Sequence, residues 1–173
     1  MGGIDVKLKY NLTEEDYINF NIAHMKNSKS LKRTMMINRF LTPLIFLVMP
    51  FVLDDISNIS FWYWAVIFVL TYILWVVLYE KNVYKINIKR IRKMLEEKRN
   101  ESLIGERILE IDGENIRIIN DRVENIIYIK SIKNIIENDE YIFIYINSIS
   151  AIIIPIKVFK SIEDKELFKS LLN

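Results

Sequence analysis

Side chains that commonly carry out catalysis or hold metals are scarce in this sequence. Its 173 residues include no cysteine and a single histidine, His24, which removes thiolate nucleophiles, disulfides and multi-histidine metal sites. The four glycines, Gly2, Gly3, Gly105 and Gly113, lack the spacing of a phosphate-binding loop or a dinucleotide fingerprint. We therefore predict no enzyme activity, no cofactor and no metal site.

Two isolated features could bind a proton or a cation, but simpler interpretations are favoured. His24 follows Tyr17 and Phe20 on one helix face, which is typical of a packed histidine rather than a pH sensor. Asp54 and Asp55 stand in a short polar segment that offers fewer oxygen ligands than calcium takes. We interpret both features as structural.

Basic residues are the best candidates for a binding role, because they attract anionic lipid headgroups. Residues 80–99 carry eight basic and three acidic side chains, a net charge of +5, and residues 26–39 carry five basic side chains and no acid. The predicted membrane-surface residues are Lys85, Lys89, Arg90, Arg92 and Lys93. The alternative is that this charge only directs membrane insertion. We expect no nucleic-acid partner.

Two apolar segments lie between these basic regions. Residues 56–79 are uncharged and aromatic at both ends, which predicts a transmembrane helix. Residues 40–53 are also uncharged, and Asp54 and Asp55 lie between the two segments. The positive-inside rule then favours a hairpin with spans at 35–53 and 60–79 and with both termini in the cytoplasm. A re-entrant first segment remains the alternative.

Within the first span, one basic residue and two prolines interrupt the apolar pattern. We expect Arg39 to extend its guanidinium to the cytoplasmic headgroups. Pro43 and Pro50 are expected to kink the helix, since proline removes a backbone donor.

The segments flanking the hairpin show clear periodicity. Residues 4–10 alternate apolar and charged side chains, which indicates a strand, and Thr13 with Asp16 predicts the start of a helix. Residues 1–34 are therefore assigned to a cytoplasmic strand and helix. Residues 80–100 are predicted to form a separate basic helix with Ile88, Ile91 and Leu95 on one face.

Residues 101–173 are rich in isoleucine and tyrosine in short runs, which predicts a small antiparallel β-domain of five or six strands. Asp112-Gly113 predicts a hairpin with a type I′ turn. Ser161 is placed to cap a C-terminal helix that closes the domain.

Strand 141–146 carries apolar side chains on both faces, so its second face must be covered. The cover could be the N-terminal strand and helix, the C-terminal helix, the bilayer or a second copy of the protein. Cover from within the chain is favoured, and we expect the N-terminal segment to complete the core. Tyr141, Phe143 and Tyr145 form the candidate partner or self-association face.

The order of these features resembles the YcxB-like family of bacterial membrane proteins. The resemblance rests on the short N-terminal strand with the helix start at residues 12–17 (LTEEDY), the two apolar spans, residues 128–132 (YIKSI) and residues 153–159 (IIPIKVF). It extends over nearly the whole chain. It implies an α+β membrane protein at the bacterial inner membrane, with a two-helix hairpin and a domain of pleckstrin-homology-like (PH-like) shape, a bent antiparallel sheet closed by one helix. It implies no catalytic residues.

Two function classes agree with this sequence. In the first, the protein is a membrane-anchored, non-enzymatic binding or regulatory module whose β-domain presents a groove or sheet edge to a protein partner or a second copy. In the second, it is a small immunity or defence protein that acts against a toxin or bacteriocin. The sequence favours the first.

Overall fold

The computed structural model describes residues 6–56 and 58–172 and divides into two compact units. One unit combines the described residues up to Asn21 with those from Ile91 onward, and the other comprises Ile22–Arg90. The chain is α+β, with antiparallel sheets in the first unit and two long apolar helical segments beginning in the second.

The first unit contains a four-stranded antiparallel sheet with the order β1-β2-β3-β4. Its strands are β1 (Val6–Leu12), β2 (Gly105–Asp112), β3 (Asn115–Ile119) and β4 (Glu124–Tyr128). Along β1, Tyr10 and Leu12 are buried while Lys7 and Lys9 are exposed. The strand predicted from alternation is therefore present, although its expected first residue, Ile4, lies outside the described residues.

Strand β1 pairs with β2 along its whole length, from Val6 opposite Ile111 to Leu12 opposite Gly105. Both predicted hairpin segments separate these strands in sequence, so the N-terminal segment completes a sheet that begins after the hairpin. This pairing confirms the expectation that the two chain ends pack together.

The hairpin between β2 and β3 differs in detail from the prediction. Asp112 pairs with Asn115, which leaves Gly113 and Glu114 as the two loop residues. Gly113 has a φ of +57°, whereas Glu114 does not have a positive φ. A type I′ turn needs positive φ at both positions, so the expected turn type is wrong. A glycine at the first loop position is the preference of a type II′ turn.

A second, three-stranded antiparallel sheet has the order β5-β6-β7. Its strands are β5 (Asn134–Glu137), β6 (Tyr141–Tyr145) and β7 (Ala151–Pro155). Strands β2 to β7 agree with the five or six expected after the membrane segments. The structure divides them between two sheets, with β2 to β4 in the first and β5 to β7 in the second.

Two helices with capped N-termini begin in this unit. In α1 (Glu14–Asn27), the Thr13 hydroxyl accepts a hydrogen bond from the Asp16 amide at 3.2 Å, and Asp16 Oδ2 accepts one from the Thr13 amide at 2.8 Å. This is the expected capping box. In α5 (Ile162–Ser170), the Ser161 hydroxyl accepts from the Asp164 amide, as predicted. Phe168 on α5 is fully buried.

The other unit is built around two long helical segments. Helices α2 (Lys29–Phe40) and α3 (Ile45–Asp54) are joined by a 3₁₀ turn, Thr42–Leu44. The turn contains Pro43 and so shows the expected interruption, whereas α3 continues through Pro50. Helix α4 (Phe61–Leu95) then runs without a break for 35 residues.

The continuity of α4 differs from the predicted boundary at residue 80. The second apolar segment and the basic segment form one helix, and only residues 98–103 form a separate short 3₁₀ turn. No proline or glycine occurs within α4, so nothing in its backbone chemistry ends or kinks the helix where the charge pattern changes.

Hydrogen bonds between polar side chains and backbone carbonyls join α2 to α4. Arg39 Nε donates to the Val76 carbonyl at 2.9 Å, and its Nη1 pairs with Glu80 Oε2 at 3.0 Å. Trp75 Nε1 donates to the Asn38 carbonyl at 3.3 Å. Arg39 was expected to extend to headgroups, but the structure gives it partners within the hairpin.

The β1–β2 pairing generates a prediction about stability. Replacing Leu12, which is 1% exposed, by alanine should destabilise the β-domain by about 2–5 kcal/mol, because it leaves a cavity in the core. Hydrogen exchange of β2 and β3 amides, followed by mass spectrometry, measures this loss. The matched control is Asn11→Ala, since Asn11 is exposed on the same strand. Equal effects of the two changes would contradict a core role for β1.

Candidate functional site

The five predicted membrane-surface residues all lie exposed on α4. Ile88 and Ile91 are half-buried and Leu95 is buried, so the predicted apolar face of this segment is present. Of the five, Arg92 forms an ion pair with Glu14 on α1 at 3.0 Å.

Tyr141, Phe143 and Tyr145, the predicted association face, are core residues. They are 6%, 0% and 6% exposed. Phe20 of α1 packs against this face, with ring centroids 5.5 Å from Phe143 and 6.0 Å from Tyr145. The cover therefore comes from the chain's own N-terminal helix, and these residues form no accessible surface for a partner.

A buried polar cluster fixes α1 on this aromatic face. Asp16, which is 3% exposed, accepts a hydrogen bond from the Tyr141 hydroxyl at 2.8 Å. Its other carboxylate oxygen accepts bonds from the Thr13 amide and hydroxyl, both at 2.8 Å. Asn19 donates to the Tyr141 hydroxyl at 3.1 Å. The Asp16–Tyr141 hydrogen bond is buried, whereas Thr13 is exposed and Asn19 is half-buried at the margin of the cluster. The four side chains thus satisfy one another's hydrogen bonds.

The surroundings of this cluster shift two pKa values. Burial raises the pKa of Tyr141 to about 12, and the nearby Asp16 carboxylate also favours the neutral phenol. Burial alone would raise the pKa of Asp16, but hydrogen bonds from Thr13 and Tyr141 and the charge of Lys157 outweigh it and lower that pKa. At neutral pH the cluster therefore holds a carboxylate and a neutral phenol, which suits a structural contact rather than proton transfer.

A cavity of about 460 Å³ lies at the basic end of the helical hairpin. It is lined by the last turn of α1, by α2 and by the middle of α4. Three cations, Lys26, Lys32 and Arg39, line it together with one acid, Glu80. Sequence reasoning found the charge of residues 26–39 but missed the cavity, because its walls come from segments about 50 residues apart.

A second accessible feature is the β4 edge of the four-stranded sheet. Strand β4 pairs with β3 on one side, and no other strand of the described residues continues this sheet beyond it. Ile126 and Tyr128 on β4 are 57% and 64% exposed. A sheet edge with exposed apolar side chains is a template for pairing with another chain.

The remaining sequence candidates are His24, Asp54 and Asp55. Burial lowers the pKa of His24, which favours its neutral form. Asp54 and Asp55 are exposed where α3 ends. Among the described residues, no three acidic or histidine side chains are grouped closely enough to hold a metal ion.

Comparison with known proteins finds a match to one family model over part of the chain. Residues 111–172 match the family model described as YcxB-like protein. This match confirms the predicted resemblance from the end of β2 to α5, which is less than half of the chain. No curated protein and no solved structure matches the chain.

The polar cluster around Asp16 generates a prediction about stability and pH. Asp16→Asn should lower the free energy of unfolding of the β-domain by about 1–3 kcal/mol at pH 7, because it removes charged hydrogen bonds in a buried site. Since folding lowers the pKa of Asp16, its contribution is present above the unfolded value of about 3.9 and is lost as the pH falls through the folded value. Hydrogen exchange of β6 amides across this pH range measures both effects.

The control for Asp16→Asn is Glu15→Gln, which removes one acid from the same helical turn at an exposed position. This control should change stability by less than about 0.5 kcal/mol. If Asp16→Asn keeps the full stability at pH 7 and the same acid sensitivity as the parent, the cluster does not hold α1 in place.

Proposed function

We propose that the chain is a multi-pass, membrane-anchored, non-enzymatic binding module of the bacterial inner leaflet. In this proposal α2–α3 and α4 cross the bilayer, both termini are cytoplasmic, and the β-domain binds a protein partner. The observation that carries the proposal is the exposure of the two apolar helical segments.

Lys29–Asp54 and Phe61–Leu95 are both long and apolar enough to cross a membrane. Only 11% and 0% of their most apolar windows are buried within the chain. An apolar core helix of a water-soluble protein buries most of its side chains, and a large exposed apolar surface needs lipid or a partner to cover it. A bilayer covers both segments at once.

The charge distribution supports the orientation. Regions of +5 precede and follow the two segments, and Asp54 and Asp55 lie between them. By the positive-inside rule, a hairpin with both basic flanks in the cytoplasm is preferred.

The PH-like shape is part of the proposal. Its support is a four-stranded antiparallel sheet followed by a three-stranded one and a C-terminal helix. In this interpretation the membrane hairpin is an insertion between the first and second strands of the domain.

In this arrangement the cations of α4 lie at different distances from the membrane surface. If the helix crosses the membrane up to Tyr79, Lys85 lies about 9 Å and Lys93 about 21 Å farther along its axis. Because the Debye length in physiological salt is about 8 Å, lipid charge reaches Lys85 more strongly than Lys93. The residues nearest the span are therefore the membrane-surface residues of the proposal.

Partner binding is assigned to the free edge of β4. Ile126 and Tyr128 project from a strand that has one hydrogen-bonded neighbour. An extended segment of a partner could add to this edge through main-chain hydrogen bonds and contact both side chains.

The topology makes a prediction for single cysteines, since the chain has none of its own. A cysteine at Asn58 should react with a membrane-impermeant maleimide added to intact cells, because it lies in the outer loop. A cysteine at Ser170 should react only after the cells are opened. Labelling at Ser170 in intact cells would show that the proposed orientation is wrong.

The binding edge makes a separate prediction. A photo-crosslinking amino acid at Ile126 should give a discrete adduct in cells, whereas one at Ile162, which is 73% exposed on α5, should not. Adding Tyr128→Lys should abolish the Ile126 adduct, because a charged edge opposes strand addition. Equal adducts at both positions, or none at Ile126, would count against β4 as the interface.

A further inference from the structure

We propose that the cavity at the basic end of the hairpin is a binding site for one anionic phospholipid. The proposal rests on membrane insertion as proposed above. The site differs from the predicted cationic surface of α4, since its basic side chains come from α1 and α2.

The charges lining the cavity leave two cations available for a ligand. Arg39 is held by the Val76 carbonyl and by Glu80, the acid among the lining residues. Among the described residues, neither Lys26 nor Lys32 forms an ion pair with an acid. The Lys26 ammonium instead lies 5.8 Å from the centroid of the Tyr84 ring.

Two ammonium groups beside the Arg39–Glu80 ion pair form a site for a phosphate with a net negative charge. A zwitterionic headgroup would bring its own cation to the same lysines and lose most of the attraction. The charge therefore selects an anionic lipid over a zwitterionic one.

The apolar walls of the cavity commit the proposal to a lipid rather than to a soluble phosphate. Met25, Met35, Met36 and Phe40 line the same space as the lysines. Met36 and Phe40 are both exposed, and so are Leu44 and Val48, which continue at the same four-residue spacing along the hairpin. A phosphate on the lysines could thus continue into acyl chains lying along this strip.

Flexible methionines suit such a ligand, because an unbranched thioether side chain adapts to acyl chains of different length and saturation. At the same time Arg39 keeps α2 joined to α4, so the two walls stay together without a lipid. The arrangement supplies a preformed headgroup site with an adaptable apolar margin.

The test uses the full chain purified in a mild detergent and native mass spectrometry with added phosphatidylglycerol or phosphatidylcholine. The parent should retain one phosphatidylglycerol more strongly than phosphatidylcholine. The double variant Lys26→Gln, Lys32→Gln should weaken that retention by roughly tenfold or more. Lys26→Arg, Lys32→Arg should restore it, which shows that the loss reflects charge and not misfolding.

The matched control is Lys29→Gln, Arg33→Gln, which removes the same charge from exposed positions of α2 that do not line the cavity. This control should retain phosphatidylglycerol like the parent. Glycerol phosphate should not displace the lipid, because it lacks acyl chains.

Three results would overturn the proposal. The first is equal retention of both lipids by the parent. The second is an equal loss of phosphatidylglycerol retention in the control and the cavity variant. The third is full displacement of the lipid by glycerol phosphate, which would indicate a soluble phosphate site. Cysteine labelling separates these from a failure of membrane insertion, because a chain with the expected labelling pattern that retains no lipid disproves only this site.

Discussion

The pairing of β1 with β2 is the interaction on which the rest of the first unit depends. It supplies the outer strand of the four-stranded sheet, and it places the chain so that α1, which follows directly, lies over β6. Phe20 then covers the aromatic face of β6, and Asp16 accepts a hydrogen bond from the buried hydroxyl of Tyr141. Without β1, β2 would lose its hydrogen-bonded neighbour, and the helix that covers the aromatic face of β6 would lose its attachment to the sheet. One antiparallel ladder thus determines the position of a helix and the burial of a second sheet.

In the helical hairpin, hydrogen bonds to polar side chains are as important as the β1–β2 pairing is in the first unit. In an apolar environment an unpaired polar group costs several kcal/mol, so polar side chains there need partners within the protein. Arg39 and Trp75 meet this need by donating to main-chain carbonyls of the opposite helix. Arg39 also neutralises Glu80, which stands one residue after the uncharged segment ends. The contacts that remove isolated charge from the hairpin also set the register of its helices.

Much of this architecture could be predicted from sequence because it depends on local patterns. Alternation in residues 4–10 predicted a strand, which the structure places at Val6–Leu12. Thr13 with Asp16 and Ser161 each predicted the start of a helix, and both starts are present. The features that the sequence did not predict depend on contacts between residues far apart in the chain. Alternation shows that Tyr141 and Phe143 need a cover, but it does not say that Phe20 provides it. Similarly, the charge of Arg39 does not reveal a partner 41 positions away. The unbroken α4 was missed for another reason, since a change from apolar to basic composition is not a helix stop.

The separation of β1 from β2 also has a consequence for synthesis. Ribosomes add about 5–20 residues per second, so roughly 90 residues between the strands delay the ladder by about 5–20 s after β1 has been made. During that interval β1 and α1 carry apolar side chains that have no sheet to pack against, while the two long apolar segments are being synthesised. The first segment therefore stays without its strand partner until β2 has been made. The unit that is compact in the folded chain is therefore, during synthesis, two fragments that meet late.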